Sequence, residues 1–220
     1  MTAKKYLLWT IFLVVQISIF LVFSSEVREW DSGQPEFVGK LDKAVINMTF
    51  EIREPFLTGM AMDITSLGST SILTLTTLLA FLFFLTVKKI SDGIYIVIIS
   101  TGAGILSQIM KTYFERPRPS LSSHLVEVQG FSYPSGHTLV STAFYLNLAL
   151  LVCAYFPKNR QRYFIFTFAI GLICLIASSR IYLGVHYPTD VIAGVMLGAV
   201  WTTFAFGLKI ILKAGSSWNY

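Results

Sequence analysis

Apolar and charged residues in this chain fall into blocks. Six uncharged runs cover residues 6–23, 64–87, 93–110, 138–156, 163–179 and 191–208. Each has the length, about 17–25 residues, that a helix needs to cross a hydrocarbon core of roughly 30 Å. A different pattern fills residues 24–63. Val38, Leu41, Val45, Met48 and Ile52 recur in steps of three and four, with Lys40, Asp42, Lys43, Asn47 and Glu51 on the other face. That period predicts an amphipathic helix. Pro55 interrupts it, and Leu57, Met60, Ala61 and Ile64 predict a second helical piece. Such a segment either lies along the bilayer interface or packs as a lid over the bundle. The expected fold is all-α and polytopic. Six transmembrane helices form a single domain over 1–220, and the amphipathic segment sits outside between helices 1 and 2.

Composition agrees with a bilayer protein. Hydrophobic residues make up 54% and charged residues 13%, about half the charged share of soluble domains, and the mean hydropathy is +0.66. The net charge of +5 therefore does not require nucleic acid, since bases in membrane proteins collect on cytoplasmic loops. No nucleic-acid motif is present, and no obligate protein partner is readable. Cys153 and Cys174 lie inside apolar runs and suit packing better than a disulfide or a metal site. The first run, after Lys4 and Lys5, is longer than a signal-peptide core of ~7–15 residues and is read as a retained helix.

Placing the N-terminus inside puts Lys4, Lys5, Lys88, Lys89, Lys158, Arg160, Arg162, Lys209 and Lys213 on the cytoplasmic side, and only Asp92 of the 12 acids. Both termini are then cytoplasmic. The loops after the third and fifth runs face outward.

Those outer loops hold charge where a membrane protein avoids it, which marks a functional site. Residues 179–190 read Ser-Arg-Ile-Tyr-Leu-Gly-Val-His-Tyr-Pro-Thr-Asp. Pro188 suits the first helical position and disfavours helix at Tyr187. Asp190 then falls in the first turn, able to reach back toward His186 and fix its tautomer. A second cluster, 111–119, places Lys111, Arg116 and Arg118 in eight residues, either in a site or snorkelling to lipid phosphates. The third, Pro134-Ser135-Gly136-His137, stands at a helix start, where free N–H groups favour an anion. Taken together, Lys111, Arg118, Arg180, Ser135, Gly136 and two histidines suit a bound phosphate.

In chain order these segments match K-x6-R-P, P-S-G-H and S-R-x5-H-x3-D. The set resembles the type 2 phosphatidic acid phosphatase superfamily, in its membrane branch. The resemblance implies that His186 is the nucleophile of a phosphohistidine mechanism, that Asp190 orients it, and that His137 serves as acid and then base. Lys111, Arg118, Ser135, Gly136 and Arg180 would hold the phosphoryl oxygens. Glu115 and Arg116 fall at variable positions of the motif and receive no role. No carboxylate cluster suits a divalent ion, so no metal and no cofactor are expected.

The implied substrate is a membrane lipid phosphate, phosphatidylglycerophosphate or phosphatidic acid, hydrolysed at the outer face of the cell membrane. Undecaprenyl diphosphate is the alternative. Two rivals of other classes are an anion transporter and a Ser-His-Asp hydrolase using Ser135. The latter lacks a G-x-S-x-G elbow.

Overall fold

The computed structural model describes residues 3–31, 37–120, 124–156 and 158–215. All regular structure among them is helical: α1 (Ala3–Asp31), α2 (Phe37–Glu51), α3 (Pro55–Ser66), α4 (Thr70–Thr86), α5 (Ile90–Phe114), α6 (Gly136–Cys153), α7 (Asn159–Tyr182) and α8 (Pro188–Gly215). Among the described residues, five helices are long and apolar enough to cross a membrane, six if the bent pair α3 and α4 is one span. The chain is therefore a multi-pass membrane protein.

That pair corrects the expected second span. Residues 64–87 do not form one straight helix; α3 and α4 meet at an angle of 44°. The break has a local cause. Ser69 caps α4 by accepting the N–H of Ile72 at 3.3 Å, a contact that needs an extended backbone at the cap. In the outer segment 24–63 both predicted helical pieces form, as α2 and α3; its first residues continue α1, and residues 32–36 lie outside those described. α2 packs against α1, α7 and α8, and α3 against α7.

Of the candidate spans, α6 is the most enclosed, with α5, α7 and α8 around it. Small residues set the close approaches. A Cβ at Gly194 would lie 2.8 Å from the Ser135 carbonyl oxygen, and one at Gly198 would lie 2.8 Å from that of Leu139. Gly102 leaves room for the Trp201 ring, whereas Gly104 faces open space and is no packing contact. Trp201 Nε1–H donates to the Ile99 carbonyl at 3.1 Å, and Trp9 Nε1–H to that of Thr203 at 3.0 Å. Each closes a helix pair that burial alone would leave free to slide. Lipid-facing side chains such as Leu8, Phe12, Leu79 and Phe168 stay exposed.

Candidate active site

At one end of the bundle, three separate stretches of chain converge. α5 ends at Glu115, whose φ of +48° turns the chain left-handed at the C-cap. Pro117 and Pro119 then keep Arg116 and Arg118 out of helical conformation. Both arginines reach the turn 185–190. Arg118 donates from Nη1 to the Val185 carbonyl at 2.8 Å, from Nε to that of Gly130 at 3.0 Å and from Nη2 to that of Gln129 at 3.0 Å. Its Nη1 also lies 3.3 Å from His186 Nε2. Four contacts fix the plane of this guanidinium. Burial lowers its pKa from the ordinary value, while Asp190 acts in the opposite sense.

His186 stands between Gly184, at φ +73°, and the start of α8 at Pro188. It is 2% exposed, and burial pushes its pKa down to about 3 against the opposing pull of Asp190. The ring is therefore neutral near pH 7. Its Nδ1 lies 3.4 Å from Asp190 Oδ2 and 3.3 Å from Ser132 Oγ. We assign the proton to Nδ1, which leaves the Nε2 lone pair beside Arg118. Asp190 Oδ2 also accepts the Tyr187 N–H at 2.8 Å and the Ser132 hydroxyl at 2.5 Å. The reach of a first-turn acid back past the helix start is thus present as read from Pro188.

Ser135 is the N-cap of α6. Its N–H donates to the Asp190 carbonyl at 3.0 Å, and its Oγ accepts from Thr138 Oγ1 at 3.0 Å. A Cβ at Gly136 would stand 2.9 Å from Ser107 Oγ and 3.7 Å from Lys111 Cε, so the missing side chain leaves the lysine its path. Lys111 Nζ donates to the Phe131 carbonyl. Arg180, 3% exposed, donates to Thr65 Oγ1 at 2.7 Å, while its buried Nε has no partner. His137 lies within electrostatic range of Arg180, His186, Lys111 and Arg118. All eight residues singled out in the sequence therefore stand in one cluster. Among the described residues, no group of three or more His, Cys, Asp or Glu side chains is arranged to hold a metal ion.

Three further residues belong to this cluster and were missed. Ser132 is fully buried against Asp190. Arg116, read as having no role, is 1% exposed and donates to Asp190 Oδ1 at 2.6 Å and to Asp42 Oδ2 at 3.0 Å. Asp42, placed by periodicity on the polar face of α2, is fully buried. Lys40, Lys43, Asn47 and Glu51 of that face stay exposed, and Asp42 alone is buried, where it has a cation and a helix start to meet. Thr189 donates to Asp42 from its N–H at 3.0 Å and from its hydroxyl at 2.7 Å. Burial raises the Asp42 pKa, with Thr189 and Arg116 opposing it.

A cationic cradle beside a neutral, oriented imidazole defines a phosphoryl-transfer class of membrane protein. Comparison with known proteins narrows the class. The family model of the PAP2 superfamily matches residues 92–209. Phosphatidylglycerophosphatase B of Bacillus subtilis is 31% identical over 164 residues, 73% of this chain and 79% of that protein. Lipid A 4'-phosphatase of Porphyromonas gingivalis is 29% identical over 83% of this chain and 78% of its own length. The crystal structure of a transmembrane PAP2-type phosphatidylglycerolphosphate phosphatase from Bacillus subtilis superposes with a TM-score of 0.83 at 26% identity, covering 93% of this chain and 98% of that one. The chain belongs to the PAP2 superfamily and is a phosphatase, an enzyme that hydrolyses phosphate esters.

Proposed function

We propose that this chain, acting as one domain over 1–220, removes the phosphate of a lipid phosphomonoester. Phosphatidylglycerophosphate or phosphatidic acid is the first choice of substrate. The observation that carries the reading is His186, neutral and held by Asp190 on Nδ1, with Arg118 3.3 Å from Nε2. Nε2 attacks phosphorus, and the bond from phosphorus to the lipid oxygen breaks. His137 gives its proton to that oxygen. Water, deprotonated by His137, then attacks the phosphohistidine, releasing inorganic phosphate and restoring the imidazole. Lys111, Arg118 and Arg180 neutralise the charge spread over the non-bridging oxygens, the main demand of phosphoryl transfer. Ser135 and Gly136 form the helix start beside them. On this reading three cations supply what a divalent ion would, and no metal is needed.

The serine-hydrolase reading finds no support in the contacts. Ser135 Oγ bonds to Thr138, and Ser132 shares the Nδ1 side of His186 with the aspartate. A serine nucleophile needs the opposite nitrogen. The basic loops support an orientation with both termini in the cytoplasm and the site on the outer face of the cell membrane, where the lipid tail would stay in the bilayer while the headgroup enters the cradle.

The test is release of inorganic phosphate from short-chain lipid phosphates in detergent with EDTA. Turnover is expected; a transporter would release none, and a metal-dependent enzyme would stop. Comparing kcat/KM for phosphatidylglycerophosphate, phosphatidic acid and undecaprenyl diphosphate decides the substrate. Preference for the diphosphate would overturn the first choice.

A further inference from the structure

Asp42 lies outside all three sequence motifs and Arg116 at a variable position of the first, yet both are buried beside the carboxylate that orients His186. Resting on the reading of His186 as the nucleophile, we propose that Asp42 and Arg116 are positioning residues for the reaction. Asp42, on helix α2, holds Arg116, and Arg116 holds Asp190 and through it His186.

The geometry leaves Asp190 little freedom. Its Oδ2 meets Ser132, the Tyr187 N–H and His186 Nδ1, and its Oδ1 meets Arg116 Nη1. A carboxylate held at both oxygens cannot turn about its last bond, so Oδ2 stays on the imidazole. Arg116 is in turn fixed in three ways. Nη2 donates to Asp42, Nη1 also donates to Thr189 Oγ1 at 2.8 Å, and its Cζ lies 4.3 Å from the Tyr187 ring centroid.

Asp42 also does something that Arg116 alone cannot. A single buried arginine facing a single aspartate would neutralise it and weaken its hold on the imidazole. With Asp42 taking part of the guanidinium's charge, Asp190 keeps negative charge for His186. Asp42 and Thr189 are 147 residues apart in sequence, and their contact fastens α2 to the first turn of α8. The outer helix thus becomes part of the catalytic alignment.

The plainer alternative is that the pair only anchors α2. Kinetics of the full chain in detergent, with a short-chain phosphatidic acid, separate the two. Asp42→Asn and Arg116→Gln are expected to lower kcat by about 10–100-fold, the usual range for partners that orient a site group. KM should stay within about twofold, since Lys111, Arg118 and Arg180 are untouched. Arg116→Lys should recover part of kcat. Thr189→Val keeps both charges paired and should lower kcat several-fold, which carries the test where a charge removal prevents folding. Wild-type kcat in folded Asp42→Asn or Thr189→Val, or losses matched by the unfolded fraction, would overturn the proposal. The underlying reading fails separately, if wild-type enzyme releases no phosphate or His186→Ala remains active.

Discussion

The two ends of the helical bundle carry ion pairs of the same kinds of residue in opposite settings. At the site, Arg116 is 1% exposed and meets two carboxylates that are both 0% exposed. At the other end, Lys209 and Asp92 meet at 2.5 Å with side chains 22% and 20% exposed, and Lys209 also lies over the Tyr95 ring. Helix α5 links them, with Asp92 in its first turn and Lys111 in its last, roughly 30 Å apart by helical rise. The part-exposed pair can exchange partners with water, so it contributes less, on the order of 1 kcal/mol. The buried set cannot. Removing one member leaves a bare charge at a cost of about 3–5 kcal/mol, so nearly every donor and acceptor there is matched. Where matching is this complete, the residues are held for what they align.

The contrast is sharpest at His186. His186→Ala is expected to lower kcat by about 10⁴-fold or more, as for a nucleophile acting in a unit, while Asp92→Asn leaves kcat near wild type. Comparable losses would erase the distinction between the ends. Next comes Arg118→Ala, with an expected loss of about 10²–10³-fold, the usual cost of one transition-state donor. Arg118→Lys should recover little of it. The guanidinium bonds to Val185, Gly130 and Gln129 from three nitrogens in one plane, which an ammonium cannot copy. Full recovery in a phosphate-release assay would reduce Arg118 to a point charge.

Acid should also separate the ends. His186 has a pKa of about 3 when folded, against about 6.5 when unfolded. Between these values the unfolded chain binds a proton that the folded chain refuses. Stability present above pH 6.5 is therefore lost as pH falls toward 3. The melting temperature in detergent should drop between pH 7 and pH 4.5, and drop less in His186→Gln; equal drops would place the sensitivity elsewhere. The smallest effect is expected for Lys209→Met. It should cost no more than about 1 kcal/mol of stability with unchanged kcat, and a large kcat loss would tie the far end to the reaction.

Much of this was legible in the sequence. Runs of apolar residues gave the spans because a bilayer forces continuous helices, and Pro188 fixed where α8 begins and what Asp190 could reach. His186, His137 and the three cations were visible because charge near a membrane is costly. Asp42 and Arg116 were not. Their partners lie 74 residues apart in sequence, and helical periodicity gives a residue's face without saying what that face meets. On α2 the apolar stripe packs inward at Val38, Leu41 and Val45 as its period implies, and Asp42 is the one residue of the polar face that is buried with it. The break between α3 and α4 was hidden in the same way. Gly68 and Ser69 interrupt a run that hydropathy reads as continuous.

The proposed reaction passes through a covalent bond between phosphorus and His186. Rapid quenching of the wild-type enzyme with a labelled short-chain phosphatidic acid, followed by peptide mapping under alkaline conditions, tests it directly. Acid-labile phosphate is expected on the peptide bearing His186 and is expected to be absent in His186→Asn. Label on a peptide without His186, or turnover at the normal rate in that variant, would contradict it.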